Sequence, residues 1–153
     1  MRPEGIYIDA NLFVLLIVGV AGKHLIAKHR RLQKFQVSDY ERMERLFNKA
    51  KRVLVTTNVL TEASNLLAQH GEPERSRIFD VFRILIDRTE EIFIASKNAG
   101  ANSEFRRLGL TDAALLEVIS KAYPLVTVDL ELYLAATAKD KLAAYNFWHY
   151  QSW

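Results

Sequence analysis

Short apolar runs that end in a polar or acidic residue alternate along this chain with longer stretches in which apolar residues recur at three- and four-residue spacing. The first kind reads as buried strands, the second as helices. Gly5 to Asp9 (GIYID), Arg52 to Thr56 (RVLVT), Glu91 to Ala95 (EIFIA) and Pro124 to Val128 (PLVTV) are the predicted strands, with a last edge strand at Ala143 to Trp148. Between them, Asn11 is expected to cap a helix reaching Val20, with Gly19 and Gly22 loosening its end. A second, basic helix is expected to follow over Lys23 to Lys34. Ser38 and Glu41 form a capping-box pattern for a helix from Asp39 to Ala50. Asn58 caps a helix ending near His70 and Gly71, and Pro73 opens another. One polar helix is predicted over Ala99 to Leu108. Gly109 stops it, and Thr111 caps a helix from Asp112 to Ala122. A last helix runs from Leu130 to about Ala138.

Strands alternating with helices predict an α/β protein: a three-layer α/β/α sandwich around a mainly parallel sheet. With 153 residues, half of them apolar, the chain can bury one substantial core, so residues 1–153 read as one domain. Ligands of such sheets bind beyond the carboxyl ends of the strands.

Composition narrows the chemistry. The chain has no cysteine, which removes disulfides, thiolate metal sites and cysteine nucleophiles, and fits a cytoplasmic protein. A net charge of +3 mildly favours a polyanionic partner. The apolar stretch Leu12 to Ala21 is too short to span a bilayer, and Asp9 interrupts any secretory leader there. No membrane association is expected.

Four carboxylates then stand out: Asp9, Glu62, Asp112 and Asp129. Each lies at a strand end or in the first turns of a helix that follows one. Each has an ordinary explanation alone: Asp9 and Asp129 as helix caps, Glu62 and Asp112 as acids favoured by a helix dipole. Gathered at one sheet edge they repel each other unless a cation compensates, and a hard divalent ion such as Mg²⁺ or Mn²⁺ prefers oxygen ligands. Thr127 and Glu131 flank Asp129 at two-residue spacing. Relief of repulsion predicts that Asp9→Asn leaves the fold intact or more stable.

The pieces IYIDANLF, TTNVLTEASNLL, LGLTDAALLEV and VTVDLELYLAA, in this order, resemble the PIN-domain family of metal-dependent nucleases. The resemblance spans Gly5 to about Trp148. It implies a Mg²⁺ or Mn²⁺ site and hydrolysis of single-stranded RNA. Asp9, Glu62, Asp112 and Asp129 would form the acidic quartet, with Asp9, Asp112 and Asp129 on the metal and Glu62 orienting water. Asn11 and Thr127 would be polar supports, with Glu131 near the same site. A small domain of this kind is similar to the toxin half of a VapBC-type toxin–antitoxin pair, which implies RNA, an antitoxin protein and a second copy of the chain as partners. Two other classes are open: a scaffold that binds nucleic acid or protein without cutting, and an aspartyl-nucleophile phosphatase, which would want a second acid where this chain has Asn11.

Two further features are weighed against bland alternatives. Lys28, Arg30, Arg31 and Lys34 either track an RNA backbone or form a solvated face. Tyr145, Phe147, Trp148, Tyr150 and Trp153 either stack on bases or pack in a core or subunit contact. His24 and His29 are too isolated to read as ligands.

Overall fold

The computed structural model describes residues 2–150, which form five strands and eight α-helices. In chain order they are β1 (Ile6–Ile8), α1 (Ala10–Ala21), α2 (Val37–Lys49), β2 (Val53–Thr56), α3 (Thr57–Leu67), α4 (Glu74–Asp87), β3 (Glu90–Ile92), α5 (Ser96–Gly100), α6 (Phe105–Leu108), α7 (Leu110–Val118), β4 (Leu125–Thr127), α8 (Leu130–Lys139) and β5 (Ala144–Asn146). All strands are parallel, in the order β3-β2-β1-β4-β5, and helices flank the sheet as a three-layer α/β/α sandwich. The sequence-predicted fold class is the one the chain adopts.

The central strands are wholly buried and apolar except for the threonines that end β2 and β4, as suits strands covered on both faces. The core extends into α1, where every residue from Leu12 to Val18 is buried. That helix packs on α2, α3 and α4. Among the described residues no helix is long and apolar enough to cross a membrane. The apolar run read from the sequence is therefore interior.

Gly19 makes the α1–α2 approach possible. A Cβ built there would lie 2.0 Å from the Tyr40 ring, so the residue admits a close helix crossing rather than loosening the chain.

Several boundaries differ from the predicted ones, and at α1 and α3 they differ for a common reason. Residues at the strand tips cap the helices themselves. Asp9 Oδ1 accepts from Leu12 N (2.9 Å) and Thr56 Oγ1 accepts from Val59 N (3.1 Å), so α1 and α3 start before Asn11 and Asn58. Helix α2 starts from Gln36, whose N–H donates to Asp39 at 2.8 Å; Ser38 and Glu41 do not form the expected box.

The polar helix predicted over Ala99 to Leu108 is two short helices. Glu104 N donates to Asn102 Oδ1 (2.9 Å), and that local turn displaces the helical bond. Helix α7 begins at Leu110 rather than after Thr111, entered through Gly109 at φ 91°, ψ 177°, a conformation that favours glycine. The basic segment is not a helix beyond a single 3₁₀ turn at Lys23–Leu25. Its later turns are held by Gln33, which donates to Ala27 O and His29 O.

Candidate acidic site at the carboxyl edge of the sheet

The chain leaves β1 toward β2 and β3 on one side, then returns to place β4 on the other. The reversal point therefore falls between β1 and β4, where such sheets open a crevice at their carboxyl edge. Asp9 follows the tip of β1, and Thr127 to Asp129 form the tip of β4.

Asp9 is only 6 % exposed and is gripped by both sides of that crevice. Its Oδ2 accepts from the Thr127 hydroxyl and, at 3.1 Å, from Val128 N, while Oδ1 caps α1. Thr127 Oγ1 in turn accepts from Asp129 N at 3.0 Å, and Asp129 Oδ1 caps α8 through Leu132 N at 3.1 Å. One hydrogen-bonded chain thus runs from the start of α1 to the start of α8 through three side chains.

Glu62 enters from α3 and Asp112 from the first turn of α7. Neither makes a hydrogen bond or ion pair among the described residues. Their proximity to the aspartates is electrostatic. Withdrawal from water pushes the Asp112 carboxyl up to about 7, with the charges of Asp129, Glu62 and Asp9 adding to it. Glu62 stands on the open side of the group, yet the protein mass around its carboxyl and the charges of Asp9 and Asp129 push it upward too. Burial raises Asp9 against the pull of its three hydrogen bonds, and Asp129 adds to the rise. Among the described residues no Lys or Arg offsets any of these three acids.

The four acids therefore share one electrostatic neighbourhood, although no three His, Asp or Glu side chains among the described residues are close enough to hold an ion as they stand. The donor set fits a hard cation: it is oxygen-only, mutually repelling and free of internal counter-charge. Two of its members, Glu62 and Asp112, are untethered and can turn toward an ion. Mg²⁺ in particular keeps several waters and needs only one or two direct carboxylates.

The other sequence candidates are placed as follows. Thr127 stands in the hydrogen-bonded chain just described. Asn11 is half-buried and has no hydrogen-bond partner among the described residues. Glu131 points to Arg107, which it holds at 2.5 Å, and Arg107 also pairs with Glu104 at 2.7 Å.

Lys28, Arg30, Arg31 and Lys34 are exposed, but they follow the far end of α1, and Arg31 bonds to Gln69 just beyond α3. Both helices start at the acidic edge. A helix of 12 residues puts the segment about 18 Å away along α1, so it does not line the acidic edge.

Phe147 is buried in the core, with Arg42 stacked on its ring at 4.3 Å, and Trp148 stacks on Phe35. Tyr150 packs on the core and Tyr145 is half-buried. Packing accounts for Phe147, Trp148 and Tyr150. Trp153 lies outside the described residues.

Sequence reading missed the backbone donors Leu12 N and Val128 N, which carry no side-chain signal. It also missed Arg107, whose partner Glu131 was visible but whose own reach across α6 to α8 was not. No protein-family profile matches the chain, and no characterised protein matches it by sequence at a significant level.

Proposed function

We propose that this chain is a metal-dependent endoribonuclease that hydrolyses phosphodiester bonds of single-stranded RNA at the crevice between β1 and β4. One observation carries the reading: Asp9, Glu62, Asp112 and Asp129 come from four separate junctions into one electrostatic neighbourhood, and no cation among the described residues offsets the raised acids among them. Asp9, Asp112 and Asp129 are the residues to hold the ion. Bound there, Mg²⁺ or Mn²⁺ would supply Lewis acidity to a phosphate and make water easier to deprotonate.

The protein's own part is positional. Asp9 is fixed by three hydrogen bonds and so offers a rigid carboxylate. Asp129 is held by its capping bond and by the bond from its N–H to Thr127. Glu62, raised and untethered, suits a group that orients a water and accepts its proton, because a base works best when its pKa approaches the working pH. The order of these acids along the chain is that of the PIN-domain family, and a toxin role beside an antitoxin protein, as a homodimer in the cytoplasm, belongs to the same proposal.

The test is cleavage of end-labelled single-stranded RNA by the purified protein in Mg²⁺, in Mn²⁺ and in EDTA. Cutting is expected with either ion and absent in EDTA, and Glu62→Gln should slow it by about a hundredfold or more. RNA left intact in both ions, or cut equally in EDTA, overturns the reading. Intact RNA that is nonetheless bound would favour a non-cutting scaffold, the alternative that the spacing of the acids supports. For the toxin role, expression in a bacterial host should arrest growth, and Glu62→Gln should relieve the arrest.

A further inference from the structure

Beside Glu62 lies an open groove of about 370 Å³ whose walls include Asn58, Thr61 and Asn65 of α3 and the opening residues Leu110 and Thr111 of α7. Asn58, Glu62 and Asn65 follow one another at spacings of four and three, so they share one face of the helix. Glu62 thus belongs both to the acidic group and to the wall of this groove.

The chemistry of the groove differs from that of the crevice. No Lys or Arg lines it, so it has nothing with which to pair a phosphate. Apart from Glu62, its polar groups are neutral amides and hydroxyls. The side chains of Asn58, Asn65 and Thr111 have no hydrogen-bond partner among the described residues, so their donors and acceptors are free for a ligand. An amide offers both a donor and an acceptor side by side, the pattern that matches the edge of a heterocyclic base. Leu110, 37 % exposed, offers apolar surface to the flat face of such a base. The volume lies within the range of small-molecule pockets.

We infer that this groove receives the base of a nucleotide adjoining the scissile phosphate, and that Asn58 and Asn65 read its edge. The inference rests on the ribonuclease reading and adds to it a determinant of sequence preference. The shared wall at Glu62 is what joins the two: a strand whose phosphate sits at the acids has its neighbouring base at the amides. Neither asparagine is tied to another part of the fold, so their replacement leaves the scaffold and the acids untouched.

The experiment measures binding of four fluorescent RNA hexamers, one of each base, by anisotropy in Ca²⁺. The proteins are the wild type, Asn58→Ala, Asn65→Ala and Asn65→Asp. Cutting of the same hexamers in Mn²⁺ is followed in parallel. The wild type should rank the four with a spread of roughly fivefold or more, the discrimination expected of one good amide–base pair. Each alanine variant should compress that spread to within about twofold. Asn65→Asp, which exchanges a donor for an acceptor, should move the preferred base rather than erase the preference.

An unchanged ranking in both alanine variants overturns the inference while leaving nuclease activity, if Mn²⁺ supports it, intact. An asparagine-dependent ranking with no cutting in Mn²⁺ upholds base reading and overturns the ribonuclease. Absence of both binding and cutting overturns both.

Discussion

Asp9 and Glu62 bring the same charge to the same crevice and are held in opposite ways. Every oxygen of Asp9 is engaged by a donor of the fold, whereas Glu62 touches nothing that fixes it. The sequence argument for Asp9→Asn counted only the relief of repulsion. In the structure an amide NH₂ in place of Oδ2 would face the Val128 N–H, leaving a buried donor without an acceptor, at a cost of about 1–3 kcal/mol. Asp9→Asn is therefore expected to lower the urea midpoint of unfolding, while Glu62→Gln leaves it unchanged or slightly raised. Equal midpoints for both variants would show that the hydrogen bonds of Asp9 contribute little. The positions of the four acids were legible because acids beside apolar runs are conspicuous. The tethering of Asp9 was not, since two of its three partners are main-chain amides whose direction only the folded sheet decides.

Among the elements, the β-branched runs marked the strands well, and periodicity marked α1, α2, α3 and α4. Cap residues misled by one or two positions wherever a strand tip such as Thr56 took the capping role before the expected asparagine. The edge strand β3 is shorter than its apolar run suggests. Among the described residues its only neighbouring strand is β2, and Phe93, just past its end, is 78 % exposed.

The crossing of α1 over α2 gives an element-scale prediction. At Gly19 alanine gains about 1 kcal/mol of helix propensity but meets ring atoms of buried Tyr40, whose hydroxyl is tied to Glu44 at 2.6 Å. The ring has no free end to swing aside, and overpacking of this kind costs about 1–3 kcal/mol. With the ring 2.0 Å from the added carbon the cost lies at the upper end, so the net loss is about 2 kcal/mol and Gly19→Ala should lower Tm by roughly 4–8 °C. Gly100→Ala, with nothing within 4 Å, serves as the matched control and should not lower it. An unchanged Tm for Gly19→Ala would mean that the two helices shift apart at little cost.

At the scale of the whole molecule, two buried titratable regions pull stability in opposite directions with pH. His29 stacks on His70 at 5.3 Å, and its Nε2 is buried with no hydrogen-bond partner among the described residues. Burial, then His70 and Arg31, lower it from 6.5 to about 4. The fold thus keeps it neutral, and its contribution, no more than about 3 kcal/mol, is complete above pH 6.5 and is lost as pH falls through 4.

Asp112 moves the other way. Raised from 3.8 to about 7, it favours the ion-free fold fully below pH 3.8, and that contribution is lost as pH rises through 7. Allowing for its partial exposure, it is about 1–2 kcal/mol. In wild type the two slopes oppose each other between pH 4 and 6.5. Urea unfolding across pH 4.5–7.5, a window of about three units, should therefore show a steeper loss toward acid in Asp112→Asn and a steeper loss toward alkali in His29→Phe. Parallel profiles for all three proteins would remove both assignments.

The strand order that juxtaposes Asp9 with β4 is legible in sequence only as a parallel sheet, since nothing local says on which side of β1 the fourth strand lands. That juxtaposition also bears on how such a chain ages. Asp9 and Thr127 stitch two strands and two helix starts together, whereas Glu62 and Asp112 make no hydrogen bond or ion pair that ties the scaffold among the described residues. Under the nuclease reading proposed above, a duplicated copy released from selection for cutting would be free to lose Glu62 and Asp112 early, while loss of Asp9 would still carry its cost to the fold. Among descendants of this protein, survival of Asp9 would then mark a well-folded chain, and survival of Glu62 one kept for cutting.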